Sequence, residues 1–390
     1  MENEDKKEPE KKAFYRKMSS HLDEEEDFSK SELDKPLNIP IQSMDMHYHK
    51  ETKYNEIERN IFKVHDKAFK SKIKKIFSYK NPIREKDPLY KGERNPEIYS
   101  LAMNSEKDTY AAGYSNGEIH IYQKEILRII QETRDTILAL KFNPINQYIL
   151  LSISHLGDVT YTHVPSGKKL NSFNIENRIV RCLDYNARGD KFAIGFADGS
   201  LSIYNDNTQI IEGTIQPGTS YSKGHVNQIH SIIFDKQNYS RILTGGRDKR
   251  IMLWDIRNLK CIDMVIEPYI LGDTVDIKGN YIIAGSYDVK DGVFLYDIRN
   301  FKEHIKQFRT DSCIYSCKFS KNEKDGIFAA GGYKRNIIKV FDINSEKKDY
   351  LFGIDGADSP VYAIDFNTYG NQFVYGCGDG GVRIVNLEKV

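Results

Sequence analysis

From about Glu97 to the end of the chain, short apolar or alternating runs are separated by Gly, Asp and Asn and return at a near-constant spacing. That texture predicts stacked β units. The most legible copy, Ile242-Leu243-Thr244-Gly245-Gly246-Arg247-Asp248-Lys249-Arg250-Ile251-Met252-Leu253-Trp254-Asp255, reads as strand, tight turn, strand. The position held by Trp254 recurs at Tyr122, Thr162, Tyr204, Tyr296, Phe341 and Val385, with successive separations of 40, 42, 50, 42, 45 and 44 residues. Seven copies are visible and no eighth fits.

A period of about 40 to 45 residues with four short strands per copy predicts a radial ring of blades, a β-propeller. Each copy opens on a strand about 20 residues upstream of the Trp254 position: Ile98–Ala102, Ile137–Phe142, Val180–Tyr185, Ile229–Phe234, Gly272–Ile277, Ile314–Phe319 and Val361–Phe366. The second strands, such as Lys191–Gly195 and Gly326–Gly331, end in Gly or Ala, where bulk would block the next blade. The expected fold class is all-β: a seven-bladed β-propeller of four-stranded antiparallel blades over residues 83–390, preceded by a partly helical or extended charged arm over residues 1–82. The chain stops just past the third strand of the seventh copy, so an upstream segment must supply the fourth, since an open edge invites aggregation. Asp87-Pro88-Leu89-Tyr90-Lys91 is the expected donor.

The arm is rich in Lys and Glu, carries the acidic run Asp23-Glu24-Glu25-Glu26-Asp27 and shows no regular alternation. Within it, Ile61–Phe77 fits an amphipathic helix with Phe62, Phe69, Ile73, Ile76 and Phe77 on one face and Lys63, Lys67, Lys70, Lys74 and Lys75 around it. Such a helix can seat on an acidic partner, a microtubule surface, structured RNA or a membrane face, or fold back on the propeller. Lys plus Arg number 57 against 56 Asp plus Glu, a net +1, so any charge-driven partner must meet a local patch. Five cysteines (Cys182, Cys261, Cys313, Cys317 and Cys377) are too few and too scattered for a disulfide framework and point to a reducing compartment. No signal-peptide pattern opens the chain and no apolar run reaches the roughly 20 residues that span a bilayer. The expected location is cytoplasmic, with a cytoskeletal or ciliary setting leading and a nuclear one as the alternative.

Over about residues 84 to 390 the chain resembles the WD-repeat family. The family's hydrogen-bond set matches in the fourth copy, at Gly224-His225, Thr244, Asp248 and Trp254. The resemblance implies that Asp248 accepts from His225, the Thr244 hydroxyl bridges, and the Trp254 indole donates. The turn acid or amide persists as Asn116, Asp198 and Asp379, and copies two, five and six lack it. Ile242–Arg257 also resembles the motif of WD-repeat substrate receptors that dock on the adaptor of cullin-type ubiquitin ligases, which implies an adaptor contact at Arg257 and, from the like ending Asp297-Ile298-Arg299, at Arg299. A plain surface ion pair explains the same residues.

Little else carries chemistry. Gly376-Cys377-Gly378-Asp379-Gly380-Gly381 matches a dinucleotide phosphate loop but sits between strands with no helix behind it, so it reads as a turn. Cys313 with Cys317, and His47 with His49, lack a second ligand pair. No nucleophile elbow or Gly-Lys phosphate loop is present. An insertion around Asp206 to Lys223 lengthens the third copy and can carry recognition residues. The expected function is therefore a non-catalytic protein-interaction scaffold or assembly subunit, without cofactor, metal or small-molecule substrate, bound to other proteins of a multisubunit complex. A ligase substrate receptor and an RNA-processing scaffold, with nucleic acid reached through the arm, are the alternatives.

Overall fold

The computed structural model describes residues 73–79, 95–104, 109–123, 125–219, 222–345, 350–354 and 359–387. Among them, 28 strands form seven four-stranded antiparallel sheets, the blades of a propeller. In blade 4 the first strand (Ile229–Phe234), second (Arg241–Gly246), third (Arg250–Asp255) and fourth (Lys260–Ile266) pair in sequence order. The first strands lie innermost, each beside the first strand of the next blade, and blade 7 returns to blade 1. Chain direction gives the ring two faces. First strands begin at the upper face, with the turns between second and third strands; the turns between first and second and between third and fourth strands form the lower face.

The seven aligned positions occupy one structural place. Trp254, Tyr122, Thr162, Tyr204, Tyr296, Phe341 and Val385 face Ile242, Tyr110, Leu150, Phe192, Ile282, Phe328 and Phe373 of their second strands. All seven are buried. The small residues ending the second strands do what bulk could not. A Cβ on Gly195 would stand 2.9 Å from Ile229 of the next blade, and one on Gly285 would stand 2.5 Å from Ile314. Blade-to-blade packing is closed there to any side chain.

Serines and acids of the inner strands add hydrogen bonds between blades. The Ser231 Oγ accepts from Val275 N at 3.1 Å, and Ser316 Oγ from Ile364 N at 3.0 Å. Asp184, Asp276 and Asp365, at one register position of blades 3, 5 and 7, accept from Phe234 N, Phe319 N and Met103 N at 2.9, 2.8 and 2.7 Å. These bonds satisfy inner-strand N–H groups at the edge facing the channel.

Ring closure corrects the sequence expectation in one respect. The last blade does receive its outermost strand from upstream, but the strand is Ile73–Tyr79, antiparallel to Val382–Leu387 with Ile76 facing Val385 and Tyr79 facing Val382. Asp87–Lys91 lie outside the described residues. The closing strand occupies the C-terminal end of the expected amphipathic helix, so Lys74 and Lys75 belong to a strand, with a register shift between Ile73 and Lys75. It also lies upstream of residue 83, so the ring takes in part of what composition assigns to the arm.

Candidate functional site

Blade 4 carries a continuous hydrogen-bonded chain across its buried face. Trp254 Nε1 donates to Thr244 Oγ1 at 2.8 Å, and Thr244 Oγ1 lies 2.7 Å from His225 Nε2. His225 Nδ1 is 3.0 Å from Asp248 Oδ1, which sits on the turn before the third strand. One assignment satisfies every group: the hydroxyl accepts from the indole and donates to Nε2, and Nδ1–H donates to Asp248. Burial raises the Asp248 pKa, but hydrogen bonds from His225 and from Val226 N and Arg250 N outweigh it and hold the carboxyl below its ordinary value. His225, Thr244 and Trp254 are buried and bond to one another inside the blade.

Other blades fill the same place differently. In blade 1, Tyr114 and Tyr122 share a hydroxyl hydrogen bond of 2.9 Å, with His120 bonded to Glu118. In blade 3, the Arg178 guanidinium stacks 3.4 Å from the centre of Phe196. In blade 7, Arg383 Nη1 donates to Asp379 at 3.1 Å, and the glycine-rich segment 376–381 is a turn between two strands. In blade 2, Ser152 and Thr162 take the Thr244 and Trp254 positions, and Glu132 lies among them and Thr160. Neither Glu132 carboxyl oxygen reaches hydrogen-bond geometry, and burial raises its pKa against the partial relief of the hydroxyls and Lys169.

An acid whose folded pKa is raised is stabilised while protonated and penalised once ionised. Stability is therefore expected to fall as pH rises above the unfolded value of about 4.3 toward the folded pKa, then level off. Glu132→Gln should remove that fall and melt higher than the native protein at neutral pH. Urea midpoints of both proteins across this range check it, and parallel pH profiles would rule it out.

The channel is charged in its middle. The fifth residues of the inner strands include Lys141, Asp184, Asp276, Lys318 and Asp365. Lys141 Nζ meets Asp184 at 3.0 Å, Lys318 Nζ meets Asp273 at 2.7 Å and Lys321 Nζ meets Asp365 at 2.8 Å. Burial raises the Asp273 pKa, but Lys318 and Lys141 outweigh it and hold the carboxyl low. Its side chain is still 45% exposed, as in a channel walled by protein and open to water along its axis.

On the lower face, Arg257 and Arg299 occupy the turns between third and fourth strands of the adjacent blades 4 and 5. Both are exposed and each clasps the acid two residues before it, Arg257 Nε reaching Asp255 at 3.0 Å and Arg299 Nε reaching Asp297 at 2.9 Å. The Arg257 guanidinium holds the Asp255 carboxyl down to about 2. Lys63, Lys67 and Lys70 lie outside the described residues. The long connection of the third copy is residues 216–228, leading into blade 4 on the upper face, while 206–210 form an ordinary turn into the fourth strand.

Sequence reasoning passed over the upper mouth of the channel. A register shift near the start of six inner strands leaves one residue of each unpaired: Tyr99, Leu138, Arg181, His230, Tyr315 and Tyr362. A bulge re-aims its side chain. Tyr99 stacks on Tyr362 with ring centres 5.0 Å apart, Tyr362 meets Tyr315 at 5.0 Å, Tyr315 meets Tyr287 at 5.2 Å, and Tyr287 meets Tyr269 at 6.2 Å. Arg247 Nε then donates to Tyr269 Oη at 3.0 Å.

Residues 216–255, the connection and blade that hold the hydrogen-bonded chain, match the family model described as WD domain, G-beta repeat. That stretch is a WD repeat, set in a ring of seven four-stranded blades, the architecture of WD-repeat β-propellers. The chain is similar to THO complex subunit 3 of Arabidopsis thaliana, 27% identical over 33% of this chain and 40% of that protein. It is similar to a guanine nucleotide-binding protein subunit beta of Zea mays, 22% identical over 56% and 58%. A diphthine methyltransferase homolog of Dictyostelium discoideum is 23% identical over 62% and 72%. The match thus spans between two fifths and three fifths of the first two relatives. Among the described residues of this propeller no cluster of His, Cys, Asp and Glu could hold a metal ion, and no helix is long and apolar enough to cross a membrane.

Proposed function

We propose that this propeller is a non-catalytic protein-interaction scaffold, an assembly subunit of a larger complex. The observation that carries the reading is the ring itself: seven blades locked by buried side chains, with two faces that present turns and connections from every blade. A rigid platform binds without paying to order itself, and several turns can engage one partner together. Two of the three relatives carry the names of complex subunits. The third carries an enzyme's name at 23% identity, and the scaffold reading carries no activity over from it. We place the protein in the cytoplasm, with a cytoskeletal or ciliary assembly as the leading setting; the buried thiols of Cys182, Cys313 and Cys317 suit a reducing compartment.

The test is affinity purification of the intact protein beside a version lacking residues 1–72, which keeps the closing strand. A stable set of co-purifying proteins in stoichiometric amount supports the scaffold reading and names its location. A protein that purifies alone from its native source under gentle conditions would refute it.

A second reading is favoured by one observation: Arg257 and Arg299 stand exposed on adjacent blades of the same face. In that reading they contact the adaptor of a cullin-type ubiquitin ligase. Arg257→Ala with Arg299→Ala should then abolish adaptor capture with melting unchanged, and unchanged capture rejects it.

A further inference from the structure

The upper mouth of the channel holds two arginines and an uncharged histidine, with no acid paired to them among the described residues. Arg181 and His230 are the unpaired bulge residues of blades 3 and 4, and Arg247 lies on the turn after the second strand of blade 4. Arg181 Nε and His230 Nε2 are buried without a hydrogen-bond partner, and none of the three forms an ion pair among the described residues. The groups feel one another. Burial and then the positive charges of Arg181 and Arg247 push the His230 imidazole down to about 3. His155 is held low by burial and by Arg181; Asp135, which opposes that shift, is already engaged by Leu156 N at 2.6 Å. Native structures rarely leave buried donors unused, so this arrangement asks for an anion from outside.

Beside this basic corner runs the tyrosine arc from Tyr269 through Tyr287, Tyr315 and Tyr362 to Tyr99, joined to it by the Arg247 to Tyr269 hydrogen bond. Its members are half-buried, with Tyr99 the most open at 36%. We propose that the channel mouth docks an acidic, aromatic peptide segment of a partner protein, a carboxylate seating against Arg181, His230 and Arg247 while the neighbouring aromatic ring lies along the tyrosine arc. This rests on the scaffold reading and names the chemistry of one of its contacts. Arg181 Nε–H, with His230 Nε2 in the tautomer that carries its proton there, offers two donors to the two oxygens of a carboxylate. Two features disfavour a nucleic acid: two arginines are too few to make a track that follows phosphates, and Tyr99 and Tyr362 already stack on each other, leaving few open faces for bases.

The probe is a dye-labelled peptide, Gly-Ser-Glu-Phe-Glu-Ser-Gly, titrated with the full-length protein by fluorescence anisotropy beside its Gln-Phe-Gln, Glu-Ala-Glu and phosphoserine counterparts and an oligouridine. The Glu-Phe-Glu peptide should bind at least about tenfold more tightly than the Gln-Phe-Gln and Glu-Ala-Glu forms, a difference of about 1.4 kcal/mol. Arg181→Ala with Arg247→Ala should lose binding by a similar factor while melting like the native protein. Arg247→Glu, on an exposed turn, gives the same readout if the double variant folds poorly. Arg257→Ala with Arg299→Ala, on the other face, should bind normally. Peptide binding indifferent to Arg181 and Arg247, or to peptide charge, overturns the proposal, as does binding confined to the phosphoserine peptide or to oligouridine. If the native complex still assembles on the double variant, the scaffold reading stands and this site falls.

Discussion

Removing residues 1–79 is expected to lower the melting temperature by about 10 °C or more and to produce concentration-dependent oligomers, whereas removing residues 1–72 should leave the melt unchanged. The difference is the closing strand. Six residue pairs join Ile73–Tyr79 to Val382–Leu387, a ladder of about six hydrogen bonds. At about 0.5 to 1.5 kcal/mol net each, their loss costs about 3 to 9 kcal/mol before any packing is counted. A large domain moves about 2 to 4 °C per kcal/mol, which sets the expected shift. The strand left behind, Val382–Leu387, would present a row of unpaired N–H and C=O groups, a template for a second molecule. Scanning calorimetry and sedimentation of the two truncations decide the matter. Equal melting of both would mean that the seventh blade does not depend on the upstream strand.

The contrast between the closing strand and the blades shows what the chain states openly. The Trp254 position was legible in all seven copies, down to register, because a buried residue, aromatic or apolar in six copies and Thr162 in the second, sits at one place in each third strand and the turn before it carries Gly, Asp or Asn. The Gly or Ala ending the second strands was legible too, since the packing of adjacent blades leaves no room for a Cβ at Gly195 or Gly285. Ile73–Tyr79 misled for a physical reason. Its apolar residues Ile73, Ile76 and Phe77 fall at helical spacing, and the register shift between Ile73 and Lys75 breaks the two-residue period of a strand. A strand paired with the far end of the chain leaves no local trace of its partner. The channel was missed differently: Lys141, Asp184, Asp276, Lys318 and Asp365 each interrupt an apolar run at its fifth residue, and only comparison between copies reveals the common place. For the upper mouth, the second residue of the inner strands varies from Tyr to Arg to His, as expected where the fold fixes only the backbone and the side chain is left to binding.

Cutting the blade 4 chain at its centre is expected to cost more than the loss of one hydroxyl suggests. Thr244→Val keeps the volume but removes the hydroxyl that both accepts from Trp254 Nε1 and donates to His225 Nε2, leaving two buried groups unsatisfied at about 1 to 3 kcal/mol each. Trp254→Phe removes the indole N–H and opens a small cavity, and Trp254→Ala should cost about 3 to 5 kcal/mol or unfold the ring. Because the hydroxyl serves both neighbours, the losses cannot add. A cycle of Thr244→Val, Trp254→Phe and the double variant should give a coupling of about 0.5 to 3 kcal/mol by urea unfolding. Additive losses would mean that the groups act separately, held by packing alone. The acid end supplies an independent check. The folded-state pKa of Asp248 is depressed, so its contribution is present above the unfolded value of about 3.9 and is lost as pH falls through the lower folded value. Asp248→Asn should therefore unfold more easily than the native protein at neutral pH and approach it as the pH falls from about 3.9 through the lower folded value, where the native carboxyl is protonated in the folded chain as well. A gap that stays constant down to that pH would show that the charge of Asp248 contributes nothing and that its shape alone holds His225 in place.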